Sequence, residues 1–361
     1  MFVDQLCRAF ADLGHEVTVI APQSVTKCLI RHIPLMPTHS WYKTTNGKKI
    51  GLYRPYIITL SSSKLARLFK NSFQNAVGRA FSRMKQKPDV CYGHFWGSIF
   101  SLYPLAKKNN IALFGASGEE NVSYYVHKTE DFKKDLREYI SGVVSVSTNN
   151  QNECLELNLV NEDKSIVIPN AIDQTLFKKM DKEQCRKAFG IAEDDFVVAF
   201  VGQFVPRKGT LRLNEALKKL DDNQIKAVFI GSGSEDPDYS GIIHKGRVAH
   251  NDVPKWLNTA DVFVLPTENE GCCNAIVEAM ACGLPVISTN ASFNYDILNE
   301  SNSIMVDCHD VNAIADAIQK LKTDEDLRKR LSNGAITMAE GLSIKKRAER
   351  IIDFIQKQIK K

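Results

Sequence analysis

Two glutamates, Glu270 and Glu278, bracket the segment of the sequence with the clearest chemical potential. A buried strand is predicted over 262–265, and a helix is predicted to begin near Asn274, whose side chain would cap it. Gly271 allows a ligand to approach the backbone closely. The free N–H groups of the helix start form an anion site at the carboxyl end of a strand, where open α/β sheets bind ligands. The two carboxylates would accept hydrogen bonds from paired hydroxyl groups on either side of that anion. The alternative is a solvated loop glutamate and a helix-surface glutamate, which the apolar neighbours of Glu278 disfavour.

Two further segments also follow predicted strands. Arg207 and Lys208 come after the apolar run 196–201 and are good partners for phosphate, with Gly202 and Gly209 permitting a tight loop, although a basic surface turn is the alternative. The second segment is Gly231-Ser232-Gly233, a glycine turn that is weak evidence alone. No G-x-G-x-x-G and no G-x-x-x-x-G-K-[ST] pattern occurs, which argues against NAD enzymes and P-loop kinases.

Strands alternate with helices of about ten residues, so the sequence predicts parallel sheets covered on both faces. The 361 residues suggest two domains. We place an N-terminal domain at 1–165, a C-terminal domain at 166–340 and a final helix at 341–361. No apolar run reaches the ~18 residues of a membrane-spanning helix, and Asp4 and Arg8 rule against a secretory signal at the start.

Positive charge is concentrated in the first third of the chain. Between Thr18 and Gly118 there are 15 lysines and arginines against one acidic residue, Asp89, although the whole chain carries only +5. Within this region, residues 64–85 have the spacing of an amphipathic helix with a basic face. A core helix with a solvated face is the simpler interpretation; contact with an anionic membrane surface is the functional one. No nucleic-acid motif accompanies the charge, so we expect no nucleic-acid partner.

Nine cysteines without a C-x-x-C pair favour free thiols in a reducing cytoplasm, and their spacing gives zinc no support.

In order along the chain, these motifs resemble the retaining, nucleotide-sugar-dependent glycosyltransferases of family 4, which have the GT-B fold. The segments that carry the resemblance are 169–173, 201–209, 230–233 and 270–287, the last with its Glu-x7-Glu pattern. Similarity is strong from Val143 onwards and looser before it. The resemblance implies two Rossmann-like domains facing across a cleft, the first binding the acceptor and the second the nucleotide sugar.

The resemblance also implies roles for individual residues. Glu270 would contact the donor sugar, Lys208 and Arg207 would neutralise the departing diphosphate, and Glu278 would hold the ribose hydroxyls. The remaining donor-binding residues would be Gly202, Gln203, Gly271, Cys272, Cys273, Asn274, Gly231 and Gly233. The chemistry would need no metal and no other cofactor, and the transferred sugar would keep its anomeric configuration.

Three departures from the family pattern stand out. Gln203 replaces the usual arginine, and the usual histidine near 116 is absent, which leaves His94, Ser117 and Glu119 as candidate cleft residues (Glu120 is a weaker one). The strand and glycine-bearing loop that open the chain in this family are also missing. We therefore expect an N-terminal sheet without its first strand, and a natural start upstream of Met1.

The sequence thus predicts a cytoplasmic glycosyltransferase, peripheral at the inner face of the membrane, that builds a cell-surface or capsular polysaccharide. It would move a hexose from a nucleotide sugar to a glycan or lipid-linked acceptor; UDP is the expected nucleotide and GDP is the alternative. Two alternatives stay open: a non-catalytic nucleotide-sugar-binding remnant, and a sugar-nucleotide epimerase or hydrolase on the same fold.

Overall fold

The computed structural model describes residues 2–59, 72–126 and 128–360 of the chain. They form two compact units. The first unit contains the residues up to Ser145, Gln151–Ile168 and Ala348–Lys361; the second contains Val146–Asn150 and Pro169–Arg347. The change of unit near Pro169 lies a few residues after the predicted boundary, and the last helix begins in the second unit and ends in the first.

The described residues form fifteen strands and fourteen α-helices. The strands are β1 (Val17–Ile20), β2 (Gln23–Ser24), β3 (His39–Lys43), β4 (Lys49–Tyr53), β5 (Tyr56–Ile57), β6 (Val90–His94), β7 (Ala112–Ser117), β8 (Gly142–Ser145), β9 (Ser165–Val167), β10 (Phe196–Phe204), β11 (Ile225–Gly233), β12 (Ile242–Gly246), β13 (Val262–Leu265), β14 (Val286–Thr289) and β15 (Ser303–Val306). The helices are α1 (Phe2–Asp12), α2 (Val25–Ile30), α3 (Ser72–Ser82), α4 (Trp96–Asn109), α5 (Val122–Tyr125), α6 (Glu130–Tyr139), α7 (Thr148–Glu156), α8 (Lys182–Phe189), α9 (Thr210–Leu220), α10 (Val253–Leu257), α11 (Asn274–Ala281), α12 (Val311–Thr323), α13 (Glu325–Gly341) and α14 (Ile344–Ile359).

The first unit has a divided sheet. Strands β6-β7-β8-β9 form a parallel sheet, and β1-β4-β3 form a second sheet in which β1 and β4 are parallel. A cavity of about 570 Å³ lies between β1 and β6 and is lined by apolar side chains of α1, α3 and α14. Residues 2–59, 72–126 and 128–360 supply no strand that joins the two sheets.

The basic amphipathic helix predicted over 64–85 is described only in its second half, because residues 60–71 lie outside the described part of the chain. Helix α3 buries Ala76, Val77, Ala80 and Phe81, so this half of the apolar stripe belongs to the core of the first unit. The simpler interpretation of the stripe is correct there.

The second unit is a six-stranded parallel sheet in the order β12-β11-β10-β13-β14-β15. The chain winds outward from β10 in one direction through β11 and β12, and then in the other direction through β13, β14 and β15. Since parallel crossovers are right-handed, this reversal places helices on both faces of the sheet. The crevice at the reversal, between the carboxyl ends of β10 and β13, is where such sheets bind ligands.

Both central strands extend further than the sequence predicts. Strand β10 continues through Gly202 and Gln203 to Phe204, and β11 continues through Gly231 to Gly233. The predicted loop between Gly202 and Gly209 therefore begins only after Phe204, and the glycine turn predicted at 231–233 is wrong. Gly231 pairs with Gly202, and a Cβ at Gly231 would lie 1.8 Å from the Gly202 carbonyl oxygen. Glycine is needed here because the two backbones approach too closely for any side chain.

Candidate functional site

The candidate site lies at the carboxyl ends of β10 and β13, which are adjacent and parallel. The chain leaves β10 through a short 3-10 turn, Pro206–Lys208, before α9. After β13 it forms a loop that ends where α11 begins at Asn274. Residues that are about 60 apart in sequence therefore meet at one edge of the sheet.

Two cations and one carboxylate form the centre of this site. The Lys208 ammonium group donates to Oε1 of Glu270, and Nη1 of Arg207 lies 3.4 Å from the same oxygen. Arg207 also donates to the carbonyl oxygen of Asn269 at 2.6 Å. The exposed fraction of the Glu270 side chain is only 9%. The structure thus brings together the three residues assigned to catalysis, in a setting where charge is weakly screened.

Thr267 completes this cluster, and the sequence analysis gave it no role. Its hydroxyl donates to Oε1 of Glu270 at 3.0 Å, and its carbonyl oxygen accepts from the Thr289 hydroxyl. The side chain is fully buried. Its position just after β13 and Pro266 could have indicated a role in the site, because residues that follow a central strand lie at the carboxyl end of the sheet.

A close backbone contact fixes the two loops against each other. The amide of Glu268 donates to the Arg207 carbonyl oxygen at 2.9 Å, and Arg212 donates to the Pro266 carbonyl oxygen at 2.8 Å. Gly209 has φ +75°, and a Cβ there would lie 2.4 Å from that same Pro266 oxygen. Glycine at 209 is therefore what lets Lys208 reach Glu270.

The two adjacent cysteines are buried structural neighbours of the cluster. Both the carbonyl oxygen and the sulfur of Cys272 accept hydrogen bonds from Asn170, at 3.0 and 3.4 Å. Burial raises the pKa of the Cys272 thiol to about 11 and that of Cys273 to about 12. Both groups are protonated thiols near neutral pH, so neither is suited to act as a nucleophile.

Helix α11 begins at Asn274, as predicted, but the predicted cap is wrong. Cys273 is the N-cap residue, with φ −78° and ψ 111°, and it makes no side-chain capping bond. Asn274 is the first helical residue and is exposed. The first amides of α11 therefore have no side-chain capping hydrogen bond in the described residues, and a helix start of this kind attracts an anion. Gly271 lies buried between this helix start and Glu270.

Glu278 is one turn into α11 and is largely shielded from solvent. Burial raises the pKa of its carboxyl from the ordinary 4.5 to about 7. Among the residues that the structure describes, none donates a hydrogen bond to it. A shielded carboxyl group with free acceptors is suited to bind ligand hydroxyls.

The remaining donor-site residues lie on β10 and β11. Gln203 is exposed and is the register partner of Ser232. Gly233 lies against Phe204, and a Cβ at that position would be 2.0 Å from the Phe204 carbonyl oxygen. At these residues the backbone itself lies beside the candidate site. A contact of Gln203 with phosphate stays a prediction.

Two of the three cleft candidates meet in the core of the first unit. The Glu119 carboxylate accepts from the amide of Trp96, at the start of α4, at 2.6 Å, and from the Ser117 hydroxyl at 3.2 Å. Ser117 is fully buried and also accepts from the Trp96 indole at 2.9 Å. Both side chains thus hold the start of α4. His94 ends β6, with its ring centroid 4.5 Å from that of Phe95.

No group of three histidine, cysteine or acidic side chains gathers as a metal site in the described ranges, and metal independence stays a prediction. Within those same ranges, no helix has both the length and the apolar character to span a membrane.

A doubly wound parallel sheet with two cationic side chains at its reversal, in a chain whose other unit also contains a parallel sheet, is typical of the GT-B fold. Solved structures support the fold. Sucrose-phosphate synthase from Thermosynechococcus elongatus has a TM-score of 0.78 at 19% identity, covering 99% of this chain and 92% of that one. Anabaena HepE in complex with UDP and glucose has a TM-score of 0.73 at 17% identity, covering 98% and 94%.

Two family models match the sequence. Residues 1–176 match Glycosyltransferase Family 4 and residues 181–338 match Glycosyl transferases group 1. The chain belongs to the family 4 glycosyltransferases, as the motifs indicate.

Three proteins whose names state a role are similar to this chain in sequence. The Bacillus subtilis glycosyltransferase TuaC, assigned to teichuronic acid biosynthesis, is 26% identical over 87% of this chain and 82% of its own. The capsular polysaccharide biosynthesis glycosyltransferase CapM of Staphylococcus aureus is 29% identical over 53% of this chain and 54% of its own. An Escherichia coli UDP-Gal:alpha-D-GlcNAc-diphosphoundecaprenol alpha-1,3-galactosyltransferase is 30% identical over 56% of each chain.

Proposed function

We propose that this glycosyltransferase moves a hexose from a UDP-sugar to a glycan or lipid-linked acceptor in the biosynthesis of a cell-surface or capsular polysaccharide. The observation that carries the proposal is the cluster of Lys208, Arg207 and Glu270 beside the uncapped start of α11. The names of two relatives support the pathway: TuaC is assigned to teichuronic acid and CapM to a capsule. The name of the Escherichia coli relative, which contains UDP-Gal, supports a UDP-sugar donor.

In the proposed reaction, the bond between the anomeric carbon and the diphosphate oxygen breaks, and the acceptor hydroxyl oxygen bonds to the same carbon. The acceptor proton passes to the departing diphosphate. Negative charge grows on that diphosphate as the bond breaks, so Lys208, Arg207 and the α11 amides would stabilise the transition state more than the ground state. Attack on the face that the leaving group departs from would retain the anomeric configuration. The scheme requires no metal and no covalent sugar–enzyme bond.

In the same scheme Glu270 and Glu278 have different roles. Glu270 lies beside two cations and would accept hydrogen bonds from the transferred hexose. Glu278, which is half-buried and receives no hydrogen bond from the described residues, would accept hydrogen bonds from the ribose hydroxyls.

The donor is tested by thermal unfolding with UDP, GDP, ADP and their common sugar conjugates. A ligand at ~100 times its Kd stabilises the folded state by ~2.7 kcal/mol. We expect a shift with the uridine compounds that Glu278→Ala abolishes and that Glu215→Ala, an exposed glutamate on α9, retains. A shift with another nucleotide family would overturn the UDP assignment.

Turnover separates the transferase from the two alternatives. With donor and an acceptor glycan, proton NMR of the product is expected to show the anomeric configuration of the donor, with and without EDTA. Donor binding without any turnover would instead favour the non-catalytic remnant. Free hexose or an epimerised nucleotide sugar as the main product would favour the hydrolase or epimerase.

We further propose that the first unit attaches peripherally to the cytoplasmic face of a membrane, through a surface that the sequence did not single out. Helix α2 has no buried residue, and the exposed fractions of Leu29 and Ile30 are 68% and 78%. Ile33 and Met36 are exposed beside them, and the Gln23 amide holds this loop through both backbone groups of Met36, at 2.7 and 3.0 Å.

The charge around this α2 surface suits an anionic bilayer. No acidic residue occurs between Thr18 and Pro88, whereas Lys27 and Arg31 lie within one turn of Leu29 and Ile30. Exposed apolar side chains with a basic rim are the features of a surface that inserts among anionic lipids.

Flotation with vesicles of phosphatidylglycerol and phosphatidylcholine tests this attachment. We expect Leu29→Ser with Ile30→Ser to reduce binding, and Leu211→Ser, at an exposed leucine of the second unit, to leave binding unchanged. Equal binding of the double variant and the wild type would overturn the proposal.

A further inference from the structure

The second unit contains a polar cavity at the end of the sheet opposite the candidate donor site. Its volume is about 350 Å³, near the lower end of the ~300–1,000 Å³ of small-molecule sites. Asp261, directly before β13, and Pro285, directly before β14, line it, so it lies at the amino ends of these strands. Strand β13 spans ~13 Å at ~3.3 Å per residue, which separates this cavity from Thr267 and Glu270.

The cavity is rich in cations. Lys179, Lys182, Arg328 and Lys329 line it, whereas Asp261 is the single acidic residue among the described lining residues. Lys329 also pairs with Glu325 at 2.7 Å, but both side chains are more than 60% exposed, so that pair is weak.

Asp261 is already fully engaged. One carboxylate oxygen accepts from Lys182, and the other accepts from Arg186 at 2.8 Å and from the amide of Val197 at 2.7 Å. Arg186 is itself buried and donates further to carbonyl oxygens of residues 192, 193 and 259. Asp261 therefore balances the buried Arg186, and little of its charge is left for the cavity.

Arg328 and Lys179 have no carboxylate within 4 Å in the described part of the chain. Arg328 donates to the carbonyl oxygens of Leu321 and Lys322 and lies over the Phe196 ring, contacts that fix the guanidinium but do not neutralise it. The Lys179 stem runs over Gly283, where an added Cβ would lie 3.3 Å from its Cδ. Among the described residues, neither positive charge is therefore neutralised by a direct ion pair, although Glu325 attracts Arg328 at longer range.

The lowered pKa of Lys182 agrees with an excess of positive charge at the cavity. Burial lowers this pKa, and the neighbouring guanidinium groups of Arg186 and Arg328 lower it further, against the opposing effect of Asp261. An anion in the cavity would face this lysine together with Arg328 and Lys179, and would relieve their mutual repulsion.

From this charge balance, we infer that the cavity at the amino ends of β13 and β14 binds a compact polyanion, a phosphate or diphosphate group of a small molecule. Such a ligand carries two or more negative charges and matches the uncompensated cations in number. Arginine and lysine are the side chains that bind phosphate best, and the cavity is too small for a large ligand. Because this site shares no residue with the donor site, it can be occupied together with a nucleotide sugar.

The test uses inorganic pyrophosphate with the full chain, because the cavity's own ligand is unidentified. Pyrophosphate is expected to slow amide hydrogen exchange in residues 179–186 and 325–333. Lys179→Glu is expected to remove that protection and to leave any protection of residues 203–209 and 270–276 unchanged. Lys179 is exposed, so this variant does not threaten the fold. Lys218→Glu, an exposed lysine on α9, is the matched control and is expected to bind as the wild type does.

Two results would overturn the inference. One is protection confined to residues 203–209 and 270–276, which would place pyrophosphate in the donor site alone. The other is a Lys179→Glu variant in which pyrophosphate protects residues 179–186 and 325–333 as it does in the wild type. Neither result depends on UDP-sugar turnover, so failure of this inference is distinguishable from failure of the proposed function.

Discussion

Lys208 and Glu270, 62 residues apart in sequence, form an ion pair at the carboxyl ends of β10 and β13. The exposed fractions of the two side chains are 13% and 9%, so solvent screens their charges little. A diphosphate that enters the site would compete with Glu270 for the same ammonium group. The pair thus holds Lys208 in place before the donor binds, at no cost of ordering during the reaction.

The first prediction concerns this lysine. Lys208→Gln removes a positive charge that would stabilise the departing diphosphate, and loss of one such donor typically costs about 10²–10³ in kcat. We expect a loss of that size in the rate of UDP release. Lys218→Gln, on the exposed side of α9, is expected to keep the wild-type rate. A Lys208→Gln enzyme with unchanged kcat would rule out the assigned role.

The second prediction concerns pH and Glu278. The pKa of this carboxyl is about 7 in the folded protein, and its ordinary value is 4.5. Between these values the folded state holds a proton that the unfolded state has lost, so stability falls as pH rises through the window. Glu278→Gln cannot ionise, and we expect it to exceed the wild type in stability at pH 8 by on the order of 1–2 kcal/mol. Thermal unfolding at pH 5 and pH 8 would show whether the difference grows with pH.

Donor binding is expected to have the opposite pH dependence. The ionised Glu278 carboxylate is the better acceptor for ribose hydroxyls, so affinity for a UDP-sugar should rise as pH increases from 6 to 8. In Glu278→Gln the affinity should be weak and independent of pH. Calorimetric titrations that give parallel pH profiles for the two proteins would contradict this assignment.

The third prediction concerns Gly231. An alanine at this position would place its Cβ 1.8 Å from the Gly202 carbonyl oxygen, so two central strands would have to separate. We expect Gly231→Ala to lower the free energy of unfolding by about 3 kcal/mol or more. Gly190 also has a positive φ but faces open space, so Gly190→Ala should cost only about 1 kcal/mol. Similar melting temperatures for the two variants in scanning calorimetry would show that the close approach is unimportant.

The fourth prediction concerns Phe95, which joins β6 to α4. Its φ of 69° and ψ of 156° lie in a region that is essentially restricted to glycine and that costs other residues about 1–3 kcal/mol. Phe95→Gly should therefore be more stable than Phe95→Ala by at least ~1 kcal/mol, the reverse of the usual order. Both variants lose the aromatic ring, so the difference between their free energies of unfolding reports the cost of the backbone conformation at residue 95. A glycine variant no more stable than the alanine variant would remove the case for strain at this position.

Much of the second unit could be predicted from sequence because its strands are continuous apolar runs bounded by chemical motifs. Helix α11 begins at the predicted residue, and Glu270, Lys208 and Arg207 do meet at the predicted end of the sheet. The ends of β10 and β11 could not be predicted. Glycines usually signal turns, and here they lie within strands because a neighbouring backbone occupies the space of their side chains.

Side-chain partnerships were beyond local reasoning. Thr267 joins the Glu270 cluster, and Ser117 and Glu119 hold the start of α4. These roles depend on contacts between segments separated by tens of residues, which no local pattern encodes.

The family, the α/β class and the residue types at the candidate site could be predicted from sequence, because short motifs must keep fixed spacing around one strand end. Which charges are balanced became evident only from the folded arrangement. Lys208 and Lys182 are both lysines near strand ends, yet one meets a carboxylate at the donor site and the other shares Asp261 with Arg186 at the opposite edge. Electrostatic balance depends on distance and burial, and both are set by packing of segments far apart in the chain.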